Sequence, residues 1–190
     1  MEKIALIHGL NSHSTVFDNL IRKLPNTEIF DINYNSTQPL EKSLFECLTQ
    51  LPEEPIHLIG YSLGGVIATI LAAAFSNAKS LTTISSPLGG SYTASFLKMM
   101  PFSFPILRDI CKTSKYINFC KQVKLDIPTL SVVSVDKSIP FPIERGDGIL
   151  TYSSQTALGF AKHVEIDSNH FDVLEHPKTL DTVSNFILGN

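Results

Sequence analysis

Short apolar runs rich in β-forming residues alternate along this chain with segments of helical period, and this alternation constrains the fold more than any other feature. Strands are predicted at KIALI, TEIFDIN, PIHLIG, SLTTIS, TLSVVSV and HVEID, residues 3–7, 27–33, 55–60, 80–85, 129–135 and 163–167. After the first run, Val16, Leu20 and Leu24 recur at helical spacing. Strands separated by helices predict an α/β fold, with an open, mostly parallel sheet between two layers of helices.

One segment interrupts this alternation, residues 88–126 between the fourth and fifth predicted strands. Its two prolines, Pro101 and Pro105, predict two or three short helices. The chain of 190 residues has no repeat, low-complexity tract or linker, and it is long enough to bury a substantial core. We therefore expect a single domain, 1–190, with a helical insert at 88–126 that could act as a small lid.

Charge and cysteine content exclude several classes of protein. The net charge of −3 comes from scattered residues, so no basic surface for nucleic acid is expected. The apolar run in MEKIALIHG is too short for a signal-peptide core or a membrane span, which predicts a soluble, cytoplasmic protein without stable membrane insertion. Cys47, Cys111 and Cys120 are odd in number and form no CxxC pair, so they are predicted to be free thiols.

The stretch IHLIGYSLGG places Ser62 where a predicted strand ends and a predicted helix begins, with Gly60 and Gly64 on either side. A tight strand-to-helix turn strains the serine backbone, and the glycines let strand and helix approach closely. The helix N-terminus would also favour negative charge that develops beside Ser62. The pattern predicts a nucleophilic serine, and the alternative is a helix cap, which requires no flanking glycines.

A serine hydroxyl is a poor nucleophile unless a base accepts its proton and an acid holds that base. Of the six histidines, His170 has the best position for the base, because it follows the last predicted strand and comes after Ser62. Asp147 and Asp136 both follow the fifth predicted strand, and both are candidates for the acid.

Backbone N–H groups are needed to bind the oxyanion that forms when an ester carbonyl is attacked. The first predicted strand ends in HGLN, where a glycine turn could aim the amide of Leu10 at the same point as the amide of Leu63. The same residues could simply form a polar turn before a helix.

Several motifs together resemble α/β-hydrolases of the lipase and esterase kind, over nearly the whole chain. HGLNS resembles their oxyanion loop, GYSLGG their nucleophile elbow and SSPLGGS the loop after the next strand, while GDGILTYSS and NHFDVLEH are similar to the acid-bearing and histidine-bearing segments of bacterial triacylglycerol lipases. The resemblance implies that Ser62 is the nucleophile, His170 the base and Asp147 the acid, with oxyanion amides from Leu10 and Leu63. It also implies the α/β-hydrolase fold, with about six strands in the order 2-1-3-4-5-6.

The resemblance also bears on metal binding. In some of those lipases a carboxylate two residues beyond the histidine helps to bind a structural calcium ion, and Asp172 occupies this position. His176 replaces the amide side chain that follows in the family, and imidazole is a poor calcium ligand, so no metal is expected. No GxxxxGKS, HExxH or GxGxxG motif occurs, and no cofactor is expected.

These residues predict a hydrolase that cleaves carboxylic esters through an acyl-enzyme on Ser62. Its partner would be a small ester with an apolar acyl group, and Phe102 and Phe104 could line the acyl site or equally pack the insert onto the domain. Two alternatives stay open. The same groups could serve an acyltransferase or a thioesterase, or the chain could be a catalytically silent binding module. The oligomeric state is not predicted.

Overall fold

The structure is a computed structural model that describes residues 1–92, 94, 104–140 and 143–189. Its strands are β1 (Glu2–Ile7), β2 (Thr27–Ile32), β3 (Ile56–Tyr61), β4 (Ala78–Ile84), β5 (Thr129–Ser134), β6 (Lys137–Pro140), β7 (Ile143–Gly146) and β8 (Lys162–Ile166). Its α-helices are α1 (Asp18–Arg22), α2 (Leu40–Leu48), α3 (Leu63–Ala74), α4 (Ile106–Asp109), α5 (Lys115–Gln122), α6 (Tyr152–Gln155) and α7 (Pro177–Leu188). Two 3-10 turns cover Ser14–Phe17 and Asp172–Leu174.

Six strands form one sheet in the order β2-β1-β3-β4-β5-β8, and every neighbouring pair is parallel. The predicted fold class is confirmed, and each predicted strand agrees with the observed one to within two residues at both ends. The sixth strand of the predicted order is β8, because two short strands precede it in the chain. Ligands of such sheets bind beyond the carboxyl ends of the strands, which is where the candidate residues lie.

Both faces of the sheet are buried, as expected for parallel strands covered by helices. Along β1, Ala5 and Ile7 join a core cluster under α2, α3 and α5, whereas Ile4 and Leu6 join a second cluster under α1 and α7. The period of two in β1 thus divides its side chains between two helical layers. Each fully buried Ile or Leu contributes roughly 1.5–3 kcal/mol to stability.

The strands β6 and β7 were not predicted. They form an antiparallel hairpin between β5 and β8, in which Lys137 pairs with Gly146. Their sequence, KSIPFPIERG, contains prolines, which remove backbone donors and argue against a strand. The hairpin matters for the site because Asp147 follows it directly.

The predicted insert is partly described. The helices α4 and α5 lie within residues 88–126, and Pro105 forms the N-cap of α4. Phe102 lies outside the described residues. Cys47, Cys111 and Cys120 are buried and form no disulfide. Within the described ranges, no helix combines the length and apolarity needed to cross a bilayer.

Candidate active site

Ser62 occupies the turn between β3 and α3. Its backbone angles, φ 53° and ψ −121°, lie in a region that residues other than glycine rarely adopt. The side chain makes no helix-capping hydrogen bond, although the residue precedes α3. The Ser62 hydroxyl instead lies 3.0 Å from Nε2 of His170. Packing around the turn therefore holds a strained serine with its oxygen against an imidazole.

The glycines beside Ser62 are required by close approach. A Cβ atom on Gly60 would overlap the carbonyl oxygen of Gly64. A Cβ atom on Gly64 would overlap the carbonyl oxygen of Ile7, at the end of β1. Because these obstacles are backbone atoms, no side-chain rotation relieves them. The turn is consequently pressed against the carboxyl end of the neighbouring strand.

Asp147 lies immediately after the β6–β7 hairpin, and its side chain is completely buried. Its Oδ2 accepts a hydrogen bond of 2.8 Å from Nδ1 of His170. Its Oδ1 accepts from the amides of Ile149, at 2.9 Å, and Leu150, at 2.7 Å. Burial would raise the pKa of Asp147, but the hydrogen bond and charge of His170 and the two amides outweigh it and hold the pKa below its usual value. Asp147 is therefore a carboxylate at neutral pH.

This carboxylate determines the tautomer of His170. A carboxylate can only accept, so Nδ1 of the imidazole carries a proton and donates it to Asp147. In the neutral ring Nε2 is then unprotonated and can accept a hydrogen bond from the Ser62 hydroxyl. The arrangement suits removal of the serine proton.

The imidazole of His170 is held in place from several sides. The loop after β8 carries it, and its backbone N–H donates to the carbonyl of Asp147 at 3.1 Å. The Tyr61 hydroxyl donates to the carbonyl of His170 at 2.8 Å, and burial raises the pKa of this tyrosine. The rings of Tyr61 and Phe171 each lie 5.5 Å from the imidazole centroid.

The predicted oxyanion amides lie on the turns that follow β1 and β3. A Cβ atom on Gly9 would lie 3.1 Å from the Cβ of Ser62, so the first turn lies beside the serine. In the part of the chain that the structure describes, the backbone N–H groups of Leu10 and Leu63 have no hydrogen-bond partner. Both residues line a cavity that also contacts Ser62. Two unused donors therefore border the site.

Two cavities meet at Ser62 and His170. The larger, about 270 Å³, has a mixed lining, in which Asn11, Ser12 and Glu175 are polar and Leu10, Val16, Phe171 and Leu174 are apolar. The smaller, about 180 Å³, is lined mainly by apolar side chains: Leu10, Leu63, Pro87, Ala94, Leu107, Ile110, Ile149, Leu150 and Phe171. Ser62 thus borders one cavity with a mixed lining and one with a mainly apolar lining.

Two predicted residues lie elsewhere. Asp136 is exposed, and its carboxylate lies 3.9 Å from Nζ of Lys137, whereas Nδ1 of His170 contacts Asp147. Phe104 is 43% exposed and lines neither cavity. From the same segment, Leu107 and Ile110 do line the apolar cavity.

Asp172 and His176, the two residues considered for calcium in the sequence, each make another hydrogen bond. Oδ2 of Asp172 accepts a hydrogen bond from the Asn169 side chain. Nδ1 of His176 accepts from the amide of Lys178 at 3.2 Å and caps α7. Among the described residues, no group of three or more His, Cys, Asp and Glu side chains could hold a metal ion.

The buried hydroxyl groups behind Asp147 were not among the residues predicted for the site. Ser134, the last residue of β5, donates to Oδ2 of Asp147 at 2.8 Å, and Ser85 lies next to Ser134. The available signal was position, because both serines occur where predicted strands end.

No protein-family model matches the chain, and no curated protein is significantly similar to it in sequence. Solved structures do match. Lipase BlEst2 of Bacillus licheniformis, in its mature form, has a TM-score of 0.77 at 13% identity, covering 98% of this chain and 91% of that one. A monoacylglycerol lipase of Paleococcus ferrophilus has a TM-score of 0.71 at 14% identity, covering 98% and 94%. The metagenomic carboxyl esterase MGS0156 has a TM-score of 0.71 at 13% identity, covering 90% of this chain but 65% of that one, so this chain spans less than two thirds of that esterase. Together with the sheet order, these similarities show that the chain has the α/β-hydrolase fold, which it shares with lipases and esterases.

Proposed function

We propose that the protein is a serine hydrolase that cleaves carboxylic esters through an acyl-enzyme on Ser62. The observation that carries this proposal is the continuous hydrogen-bonded series from Asp147 through His170 to Ser62. These three side chains come from separate loops, and the series ends where two cavities meet. The fold similarity to lipases and esterases supports the same class of reaction at the level of the fold.

The proposed mechanism begins with attack of the Ser62 oxygen on the ester carbonyl carbon while Nε2 of His170 takes the hydroxyl proton. The amides of Leu10 and Leu63 donate to the oxyanion that forms. The carboxylate of Asp147 stabilises the imidazolium. As the intermediate collapses, the ester C–O bond breaks and His170 gives its proton to the departing alcohol.

Deacylation repeats these steps with water in place of the alcohol. His170 takes a proton from the water, the hydroxide attacks the acyl carbon, and the bond to Ser62 breaks as the imidazolium returns the proton to the serine oxygen. The two amides serve both half-reactions, since each passes through an oxyanion at the same point. The products are a carboxylic acid and an alcohol.

The two cavities divide the proposed substrate. The apolar cavity of about 180 Å³ suits the acyl group, because its lining is mainly aliphatic, and its size favours short acyl chains. The larger cavity, whose lining combines Asn11, Ser12 and Glu175 with apolar side chains, is the proposed site of the alcohol. The proposed substrate is thus a small ester with an apolar acyl group.

The proposal is tested by covalent labelling together with hydrolysis of p-nitrophenyl esters of increasing acyl length. The wild-type protein should take up one fluorophosphonate at Ser62 and release free acid without any added acceptor alcohol. Ser62→Ala should abolish both labelling and hydrolysis. The matched control is Ser12→Ala, which removes another serine from the same cavity and should keep the label. A folded wild-type protein that takes up no label would instead favour a binding module, and turnover that requires an acceptor would favour an acyltransferase.

A further inference from the structure

We infer that Ser134 is a positioning residue for Asp147, and that Ser85 in turn orients the hydroxyl of Ser134. The inference rests on the proposed function, because it assigns a role behind the same hydrogen-bonded series. Both serines are completely buried and lie at the carboxyl ends of neighbouring strands. Neither lines either of the two cavities, so neither is placed to contact a substrate.

The hydrogen bonds among these groups have a defined direction. Oγ of Ser134 lies 2.8 Å from Oδ2 of Asp147 and 2.6 Å from Oγ of Ser85. A carboxylate cannot donate a hydrogen bond, so the Ser134 hydroxyl is the donor and Asp147 the acceptor. In the hydrogen bond between the two serines, Ser85 must then be the donor and Ser134 the acceptor. The series runs from Ser85 to Ser134 to Asp147, and His170 donates to the same carboxylate oxygen, Oδ2.

The backbone around Ser134 is held by Gln155, from helix α6. The side-chain oxygen of Gln155 accepts from the amide of Ser134 at 3.0 Å, and its side-chain nitrogen donates to the carbonyl of Ser134 at 3.0 Å. The same oxygen lies 3.4 Å from Oγ of Ser134, a longer contact than the one to Asp147. The hydroxyl proton is therefore best directed at the carboxylate.

Ser85 is held with comparable firmness. Its φ of 46° lies in the left-handed region, which residues other than glycine rarely adopt. Its amide donates to the carbonyl of Val132 in β5 at 2.9 Å. Neighbouring strand ends thus hold this strained residue with its hydroxyl against Ser134.

The consequence for Asp147 concerns its orientation. Oδ1 is held by two amides, whereas Oδ2 is shared by Ser134 and His170. Without Ser134, His170 alone holds Oδ2, and rotation of the carboxylate about its terminal bond is restrained less tightly. The imidazole then loses the alignment on which proton transfer from Ser62 depends. Turnover should fall while substrate binding is unaffected.

The experiment measures kcat and KM for a short-chain p-nitrophenyl ester in the full chain. Ser134→Ala should lower kcat roughly 10- to 100-fold, the effect of losing one hydrogen bond to a charged group, and leave KM within about twofold. The matched control is Ser131→Ala. Ser131 is also buried in β5 and donates to the backbone carbonyl of Gln155 at 3.2 Å, without contact to Asp147. Its kcat should stay within about twofold of the wild type.

A double-variant cycle separates positioning from a general structural role. In an Asp147→Asn background, Ser134→Ala should have no further effect on kcat, because the orientation that it maintains no longer matters. Equal losses in both backgrounds, or a kcat for Ser134→Ala equal to that of the control, would overturn the inference.

Ser134→Cys covers the case in which Ser134→Ala fails to fold. The thiol is close in size to the hydroxyl but is a weak donor, so the same loss of kcat is expected in a folded protein. An unchanged kcat in the folded Ser134→Cys variant would overturn the inference. An active wild type with unaffected Ser134 variants would refute only this inference, whereas a wild type without esterase activity would refute it together with the proposed function.

Discussion

At the scale of single residues, two serines combine a strained backbone with a hydroxyl group in the hydrogen-bonded series. Ser62 and Ser85 both have positive φ angles, and both follow strands of the parallel sheet. Such conformations persist only where the surrounding structure holds them. Here the surroundings are the closely packed turn at Ser62 and the hydroxyl groups behind Asp147. Of the four non-glycine residues with positive φ in the described part of the chain, Ser62 and Ser85 have side chains in the hydrogen-bonded series, whereas Asn11 and Asn26 do not.

The first prediction concerns the choice of acid. Asp147→Asn should lower kcat about 10⁴-fold, because the amide would leave the imidazole in the wrong tautomer. Asp136→Asn is the matched control, and it should change kcat by less than about threefold, since its carboxylate is exposed beside Lys137. Steady-state kinetics of the two folded variants with one ester make the comparison. The reverse ranking would assign the acid to Asp136.

The second prediction concerns the strand-to-helix turn. Gly64→Ala should destabilise the protein by about 4 kcal/mol or more, because the new methyl group would overlap the backbone carbonyl of Ile7. Gly159→Ala is the matched control. Nothing lies within 4 Å of a Cβ atom there, and its stability should stay within about 0.5 kcal/mol of the wild type. Urea unfolding measures both, and similar midpoints for the two variants would show that the turn is not tightly packed.

At the scale of elements, some segments carry the proposed catalytic groups and another forms part of the wall of the apolar cavity. The turns after β1 and β3 carry the predicted oxyanion amides and Ser62, while the loops after β7 and β8 carry Asp147 and His170. The helix α4 contributes Leu107 to the wall of the apolar cavity. The proposed catalytic groups thus lie at or near strand ends, whereas the shape of the apolar cavity depends partly on the segment predicted as an insert.

The third prediction concerns the apolar cavity. Leu107→Ala should shift the preferred acyl chain to greater length, because removing a buried side chain from the wall enlarges the cavity. The matched control is Phe104→Ala, which lies close to it in the chain but lines neither cavity and should keep the wild-type preference. Values of kcat/KM across the p-nitrophenyl ester series measure the shift. A shift caused by the Phe104 variant alone would move the acyl site to the earlier part of the segment.

The fourth prediction concerns the alcohol side. Among the described residues that line the larger cavity, Glu175 is the one carboxylate, and no Lys or Arg accompanies it. Glu175→Gln should therefore raise kcat/KM for an ester with an anionic alcohol roughly two- to fivefold relative to its neutral analogue, the effect of one exposed charge. Glu41→Gln, on α2 and away from both cavities, should leave the ratio unchanged. An unchanged ratio in the Glu175 variant would mean that this carboxylate does not face the alcohol.

At the scale of the whole molecule, one sheet buried on both faces supports the site at its carboxyl edge. The two core clusters lie under separate helical layers, and β1, β3 and β4 contribute to both. A closely packed core of this kind allows little local movement of the strand ends. It therefore favours a site whose geometry is formed before substrate binds. The buried charge of Asp147 is also coupled to the stability of the whole fold.

The fifth prediction concerns the pH dependence of that stability. The folded-state pKa of Asp147 is below its ordinary value of 3.8, so this group stabilises the fold above pH 3.8 and loses that contribution as the pH falls through its folded-state pKa. Asp147→Asn removes this component. The free energy of unfolding should therefore decline more steeply with acid below about pH 4 in the wild type than in the variant. Urea titrations between pH 6 and pH 2 measure the difference, and parallel curves would show that Asp147 does not titrate in this way.

Much of the fold was predictable because its signals are local. The six strands of the sheet follow from apolar runs of β-forming residues. Such runs indicate a buried strand without any knowledge of what it packs against. The turn at Ser62 follows from glycines within a few residues of it. The hairpin β6–β7 was missed because its prolines lower the strand signal, and its pairing is visible only when both strands are placed together.

By itself the sequence determined the parallel sheet, the helices on both faces and the position of Ser62 at a strand-to-helix turn, because each depends on residues that are close together in the chain. Tertiary structure decided which carboxylate meets His170. Asp136 and Asp147 both follow β5, but the hairpin brings Asp147 under an imidazole that is 23 residues further along the chain. It also decided that Ser85 and Ser134, 49 residues apart, share a hydrogen bond behind that carboxylate. Such contacts depend on which strand ends lie next to each other in space, and a local sequence pattern does not contain that information.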